Sequence, residues 1–222
     1  MKQYQASESL PVGLLLALTG GMLDAYSYLN RGEVFATAET GNIVLLGINL
    51  AKQKWHVALH YVIPILAFTA GVIVTDYIRY RLGSRTGRIH WRQPLILVEC
   101  LAVFVVSFLP KGEMDTLSNV IISFTSALQV EAFRKFKGCP STTTMSTGNL
   151  RSGTEHLFIW IVNREKIALD KVKVYYSLIL SFITGAILSG LLTPFFKEKT
   201  AIFTCFPLLI AFFIMLNTHT QN

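Results

Sequence analysis

One sequence pattern occurs twice in this chain and constrains its fold more than any other feature. An acidic residue, an Ala and an aromatic residue are followed, sixteen positions after the acid, by Thr-Gly-Asn. The first copy is Asp24-Ala25-Tyr26 with Thr40-Gly41-Asn42, and the second is Glu131-Ala132-Phe133 with Thr147-Gly148-Asn149. Each triplet ends a long apolar run, and each Thr-Gly-Asn opens a short one. The equal spacing predicts an internal duplication in which two related halves build one central site.

Apolar residues are gathered in blocks of the length that crosses a membrane. Hydrophobic residues make up 52% of the chain and charged residues only 15%, whereas soluble domains carry about 25% charged residues. Six blocks approach the roughly 20 residues needed to cross hydrocarbon. They are Leu10–Leu29, Val57–Ile78, Pro94–Pro110, Leu117–Phe133, Val172–Phe196 and Ala201–Leu216. We therefore expect an all-α, polytopic transmembrane helix bundle with about six spans in a lipid bilayer.

The net charge of +7 does not indicate a nucleic-acid partner, because the basic residues lie in loops between apolar blocks. There they set orientation and meet anionic lipid. The three Cys residues form no CxxC pair, and His56 and His60 lie beside aromatic residues typical of a membrane interface, outside any HExxH motif. We expect no metal, no cofactor and no enzymatic activity.

Two short apolar stretches, Ile43–Ala51 and Leu150–Val162, directly follow the Thr-Gly-Asn motifs. The segments before them, 34–39 and 139–146, are poor in helix-forming residues, and the second contains Pro140 and a run of Thr. This pattern predicts a coil followed by a half-helix that begins at Thr-Gly-Asn. Irregular backbone inside a membrane is tolerated only where protein or a water-filled cavity satisfies its polar groups.

The two half-helices either re-enter the membrane or cross it. If both re-enter, both termini are cytoplasmic, with thirteen Lys and Arg residues inside and six outside. If both cross, the counts become eleven and eight. The positive-inside rule favours re-entry. Each half then holds three crossings, so the repeat is inverted.

This reading divides the chain into three parts. Residues 1–83 hold the first two spans of the first repeat and the half-helix 41–53. Residues 84–112 hold a linker loop and the span that completes the first repeat, and residues 113–222 form the second repeat. A weaker correspondence between Phe68–Gly71 and Phe182–Gly185 supports the duplication.

The motif residues are candidates for binding a solute or an ion. A half-helix N-terminus offers unpaired backbone N–H groups and a partial positive charge. Thr40 and Thr147 suit the N-cap position, Gly41 and Gly148 allow close approach, and Asn42 and Asn149 offer amide donors and acceptors. The alternative is that these residues cap and pack helices.

Asp24 is the acidic residue that most suggests function, since a carboxylate within a membrane is costly and Asp24 has no charged neighbour on its helix. We expect it to titrate or to gate a pathway. Glu131 is also a candidate, although an ion pair with Arg134 or Lys135 explains it better. Gln129 joins the set because it can bond across the bundle. Arg151 and Glu155 follow the second motif where the first half has apolar residues, so the halves have diverged.

The motif residues resemble those of the YoaK family of bacterial membrane proteins, a family classed as a domain of unknown function. The resemblance rests on Gly21–Leu29, on Val34-Phe35 leading to Thr40-Gly41-Asn42, and on Gln129–Arg134 leading to Thr147-Gly148-Asn149. It extends from about Pro11 to Leu216. It implies a bacterial inner or plasma membrane protein of about six spans with no established substrate. That family more often has Met at the place of Glu39 and a less basic residue at Arg151, so any role for these two is particular to this chain.

These observations together predict a small-solute permease or channel-like protein with a midplane site formed by the two half-helix starts. The helix dipoles fit a small anionic or zwitterionic solute, and a homodimer would help to enclose a pathway. The alternative is a non-transporting membrane scaffold or regulatory protein whose polar motifs serve helix packing.

Overall fold

Eight α-helices carry most of the chain over the residues that the computed structural model describes, 5–83 and 91–219, of which 217–219 are described without side chains. Short 3-10 segments, Ala6–Glu8 and Lys197–Thr204, precede the first and the last helix. The helices are α1 (Leu10–Asn30), α2 (Glu39–Ala51), α3 (Trp55–Leu82), α4 (Arg92–Val106), α5 (Asp115–Ala132), α6 (Ser146–Asn163), α7 (Lys166–Phe196) and α8 (Cys205–His219). The all-α prediction is confirmed for these residues, apart from one small hairpin.

Ion pairs and hydrogen bonds define two ends of the bundle. At the first, called the Arg31 end, Arg31 after α1 pairs with Asp115 at the start of α5. His60 of α3 contacts Thr116 of α5 at the same end. At the other, called the Glu8 end, Glu8 before α1 lies 3.4 Å from Arg92 of α4 and 3.3 Å from Lys135 after α5.

Helices α1, α3, α4 and α5 each run from one end to the other. Because α1 finishes at the Arg31 end and α3 begins there, the segment that contains α2 enters and leaves at that end. The segment that contains α6 does the same at the Glu8 end, where α5 finishes and α7 begins. The position of α7 follows from the Tyr175 hydroxyl, which donates to the Pro140 carbonyl, and from the Ser181 hydroxyl, which donates to the Leu14 carbonyl.

Glycines bring two pairs of helices into backbone contact. A Cβ on Gly21 of α1 would overlap the Phe182 carbonyl of α7, and a Cβ on Gly185 of α7 would overlap the Leu18 carbonyl of α1. Gly71 of α3 packs in the same way on α5. Such close approach is typical of helices associated within a membrane.

Two apolar clusters lie along the bundle axis with polar side chains between them. The cluster toward the Glu8 end contains Leu16 and Phe136, and the one toward the Arg31 end contains Leu23 and Ile122. Between them lie four buried hydroxyl-bearing residues, called here the central polar layer: Thr19 of α1 and Ser123, Thr125 and Ser126 of α5.

Three stretches of the described chain are long and apolar enough to cross a membrane: Leu10–Asn30, Trp55–Leu82 and Lys166–Leu216. Each of the six predicted blocks coincides with a helix, although α4 has only 15 residues. The half-helix predicted at 41–53 begins at Glu39 and ends at Ala51. Most of the predicted linker loop, residues 84–90, lies outside the described residues.

A two-residue hairpin was not predicted. Its strands, β1 (Lys135–Phe136) and β2 (Cys139–Pro140), are antiparallel and lie between α5 and α6. Lys137 and Gly138 form the turn, both with positive φ, at 48° and 75°. Gly138 adopts a positive φ readily. Lys137 is strained at a positive φ, because its side chain carries a Cβ.

Candidate functional site

Asn42 ties the coil that follows α1, residues 31–38 (the first coil), to the start of α2. Its side-chain Nδ2 donates to the Phe35 carbonyl at 2.8 Å, and its Oδ1 accepts from the Phe35 N–H at 3.0 Å. Nδ2 also donates to Oε2 of Glu39 at 2.7 Å. The amide therefore uses both its donors and its acceptor within its own segment.

Asn149 makes the same arrangement in the second half, where residues 141–145 (the second coil) precede α6. Its Nδ2 donates to the Thr142 carbonyl at 2.6 Å, and its Oδ1 accepts from the Thr142 N–H at 3.3 Å. In both halves the Asn binds the backbone of the residue seven positions before it. These two sets of hydrogen bonds are called the Asn latches.

The remaining Thr-Gly-Asn residues do not point into the buried interior. Thr40 and Thr147 are exposed, and their helices begin one residue earlier. Ala38 and Met145 hold the N-cap positions, without side-chain cap hydrogen bonds, so the prediction that Thr caps each half-helix is wrong. Gly41 leaves room for the Phe35 ring, whereas a Cβ on Gly148 would meet open space.

Asp24 is buried on α1, and its carboxylate lies at the start of α2. Its Oδ1 accepts a hydrogen bond from the Thr37 N–H at 2.8 Å, and the Ala38 N–H and the Thr37 hydroxyl lie close by. Helix N-termini favour negative charge, because their first N–H groups have no partner within the helix. The Asp24 carboxylate therefore binds the backbone of the first coil directly before the start of α2.

Glu39, the first residue of α2, is also buried. Asn42 binds its Oε2, whereas its Oε1 has no hydrogen-bond partner among the described residues. The Ser123 hydroxyl of the central polar layer lies near this carboxylate without a hydrogen bond of good geometry. Sequence analysis did not include Glu39 in the site. The sequence does contain a signal for Glu39: it lies three residues before Asn42 and therefore on the same helical face.

Gln129 joins α5 to the second coil. Its Nε2 donates to Oγ1 of Thr143 at 2.8 Å, while the next residue, Thr144, lies against Gly20 of α1. Asp24, which binds the first coil, is one helical turn from Gly20. The two coils therefore enter from opposite ends and reach adjacent turns of α1 beside the central polar layer.

Glu131, the second acidic motif residue, lies apart from this region at the Glu8 end. It pairs with Arg134, as the sequence spacing predicts, and with Arg79 of α3 at 2.9 Å. Arg79 also pairs with Asp76 at 2.6 Å. The two acidic motif residues therefore have different surroundings: Asp24 binds backbone, and Glu131 belongs to a charged network.

Arg31 is a buried residue that sequence analysis treated as an ordinary loop cation. Its side chain is fully buried, and its Nε donates to the Tyr26 hydroxyl at 2.9 Å. Its two terminal nitrogens bind Asp115 and three backbone carbonyls near the end of α4, at 2.9–3.2 Å. A charge at the Arg31 end is thus satisfied by the helix C-terminus, which favours cations.

An open groove of about 540 Å³ runs along α6, and Thr147, Arg151 and Glu155 line part of it. In the first half the matching positions of α2, Val44 and Ile48, are exposed and apolar. The outward faces of the two half-helices therefore differ, in agreement with the divergence expected from the sequence.

Long apolar helices around a buried polar layer define a membrane protein with transmembrane helices. Within that class, the chain belongs to the family described as "Protein of unknown function (DUF1275)", which matches residues 12–215. The chain is 26% identical over 190 residues to the UPF0700 transmembrane protein YoaK of Bacillus subtilis (strain 168). That match covers 82% of this chain and 83% of the relative, and it confirms the family resemblance. No solved structure matches the chain.

Proposed function

We propose that the chain is a small-solute permease or channel-like protein of a bacterial inner membrane. The observation that carries this proposal is the group of buried polar side chains where both coils reach α1. Several of their atoms have no hydrogen-bond partner among the described residues, including Oγ of Ser123 and Ser126 and Oε1 of Gln129. Unpaired buried polar atoms are destabilising, so their presence between two apolar clusters is expected where water or a solute binds.

Six crossings with two re-entrant helices, in two inverted halves, fit this function best. Helix pairing supports the repeat: α1 packs on α7 as α5 packs on α3, and α2 packs on α3 as α6 packs on α7. Both halves carry an Asn latch. With three crossings in each half, α2 and α6 re-enter from opposite sides, and their starts meet at the middle of the membrane.

We assign the Glu8 end to the cytoplasm, together with both termini. Arg79, Arg92 and Arg134 lie at this end, and the count of thirteen basic residues against six favours it under the positive-inside rule. The Arg31 end then faces outward, with Arg31 itself neutralised by Asp115.

A zwitterionic solute suits the surroundings better than a simple anion. Two carboxylates, Asp24 and Glu39, already lie at the start of α2. The first turn of α6 has no acidic residue, so its N–H groups favour a carboxylate of the solute. An ammonium group of the same solute would face the carboxylates, as in an amino acid.

The first test measures the melting temperature of the detergent-purified protein with glycine, glutamate, acetate or choline, for wild type, Asp24→Asn and the control Asp76→Asn. A solute at ten times its dissociation constant stabilises by about 1.4 kcal/mol. We expect glycine or glutamate to raise the melting temperature of wild type and of the control, and not of Asp24→Asn. The proposal fails if no solute raises it and proteoliposomes swell no faster than empty liposomes in the same solutes.

The alternative is a non-transporting scaffold, and the Asn latches favour it, because they use the motif amides for packing. It predicts that Asp24→Asn simply fails to accumulate in the membrane. It also predicts equal loss of folded protein from Asn42→Ala and Asn149→Ala, with no solute effect on the protein that remains.

A further inference from the structure

Asp24 and Glu39 place two carboxyl groups in one buried region without a cation. Their exposed fractions are 6% and 8%, and among the described residues neither forms an ion pair. Two buried carboxylates close together cannot both ionise cheaply, because each loses hydration and repels the other.

The two groups differ in what compensates their charge. Asp24 faces the backbone N–H groups of Thr37 and Ala38 in the first coil, and these dipoles offset part of its charge. Glu39 has one neutral donor, Asn42, on Oε2 and no hydrogen-bond partner on Oε1. Of the two carboxylates, Glu39 therefore has the fewer hydrogen bonds to compensate its charge.

We propose that Glu39 binds and releases a proton, so that H⁺ is the ion coupled to the site; this rests on the proposed transport function. On binding, an O–H bond forms at Oε1, a hydronium ion gives up the proton and becomes water, and the side chain changes from charge −1 to neutral. The new hydroxyl can donate to Oγ of Ser123. A metal cation fits less well, because hard divalent ions take about six or more oxygen ligands.

Among the residues that the structure describes, no cation pairs with Glu39. The charged group that faces it is Asp24 of α1, and α5 presents the Ser123 hydroxyl. On α3, which packs against α2, no titratable residue occurs between Tyr61 and Asp76. Burial of Glu39 and the nearby charge of Asp24 both favour the neutral form of the Glu39 carboxyl.

Infrared difference spectroscopy of the purified full-length protein tests this directly. Spectra recorded at neutral and at alkaline pH, where exposed carboxyls are ionised in both, should differ by the C=O stretching band of a carboxyl that is still protonated at neutral pH. We expect the band to disappear in Glu39→Gln and to remain in the control Glu99→Gln, which changes a buried carboxyl of α4. A titrating band that survives Glu39→Gln overturns the inference.

Stability should follow the same titration. If the folded protein binds the proton more tightly than the unfolded chain, stability falls as the pH rises through the range in which Glu39 loses its proton, and it is flat above that range. The folding equilibrium constant changes by at most about tenfold per pH unit. Glu39→Gln should remove this component and Glu99→Gln should keep it. A slope that is unchanged in Glu39→Gln contradicts the inference.

Two further measurements keep the inference falsifiable. If Glu39→Gln does not fold, Ser123→Ala keeps both carboxyls and should shift the band, whereas an unshifted band assigns the proton elsewhere. Solute-driven swelling of proteoliposomes separates the two proposals. A Glu39 titration without swelling supports the proton site and contradicts transport, whereas swelling without a Glu39 band supports transport and overturns the proton site.

Discussion

In each Asn latch, one side chain pairs the backbone N–H and C=O groups of one coil residue. Each coil leaves backbone hydrogen-bonding groups without partners in a helix or sheet, and the groups of Phe35 and Thr142 are partly buried. The Asn side chain provides both a donor and an acceptor to one residue of the coil, as a neighbouring strand would. Asp lacks the donor and Leu lacks both, so the chemistry of the amide explains why Asn ends both motifs.

Replacing either latch should destabilise the protein, whereas replacing the neighbouring Thr should not. Asn42→Ala leaves the N–H and C=O of Phe35 unpaired, and Asn149→Ala does the same for Thr142; each unpaired group costs about 1–3 kcal/mol. We expect a loss of at least about 2 kcal/mol for each variant. Thr40→Ala and Thr147→Ala, at exposed positions, should stay within about 0.5 kcal/mol. Thermal melting of the four purified variants checks this. A Thr variant as unstable as its Asn neighbour would contradict the latch.

What the sequence could predict at the residue scale depended on the range of the contacts. The spacing of the motifs located both breaks, because a break is a local property of a dozen residues. It did not reveal the role of Arg31, whose terminal nitrogens donate to acceptors 75–84 residues away. Nor did it include Glu39, whose burial depends on α5.

At the scale of elements, the contact between α1 and α7 depends on two glycines that face each other. Gly21 and Gly185 allow each backbone to approach a carbonyl of the other helix. In hydrocarbon, helices associate through such packing, because lipid chains are as apolar as the side chains. This contact joins the first helix of one half to a helix of the other.

Alanine at these glycines should therefore be destabilising, against its usual effect in a helix. Gly21→Ala and Gly185→Ala force the helices apart, and we expect a loss of about 1–3 kcal/mol. The control is Gly190→Ala in α7, where a Cβ meets nothing within 4 Å. It should be neutral or stabilising by up to about 1 kcal/mol, since Ala is the better helix former. The melting temperatures of the three variants test this prediction. An equal change of melting temperature in all three would show that close contact between α1 and α7 is not the cause.

The hydrophobic blocks of the sequence predicted where the long helices lie. They did not predict the exact helix boundaries or the hairpin. The blocks predicted six helices correctly because burial in hydrocarbon demands long apolar runs. The hairpin at 135–140 consists of two residues in each strand, too few for an alternating pattern. The start of α2 at Glu39 is set by tertiary contacts with α1.

At the scale of the molecule, chemical labelling can show whether α6 re-enters the membrane or crosses it. With all three Cys residues replaced by Ala, single cysteines are introduced as Lys54→Cys and Glu165→Cys. We expect a membrane-impermeant maleimide to label Lys54→Cys on intact spheroplasts, and to label Glu165→Cys only after the membrane is broken. If α2 and α6 both crossed, Glu165→Cys would also be labelled from outside.

Arg31 carries a consequence for the order in which the chain is made. Its carboxylate partner, Asp115, is synthesised 84 residues later, which takes about 4 to 17 s at 5–20 residues per second. During that interval the guanidinium has left the ribosome without its ion-pair partner or the carbonyls at the end of α4. We therefore expect the first helix to reach its final depth only once α4 and the start of α5 have been inserted. The proposed duplication would divide the chain near residue 112, but the contacts of Arg31 make the first part depend on the start of the second.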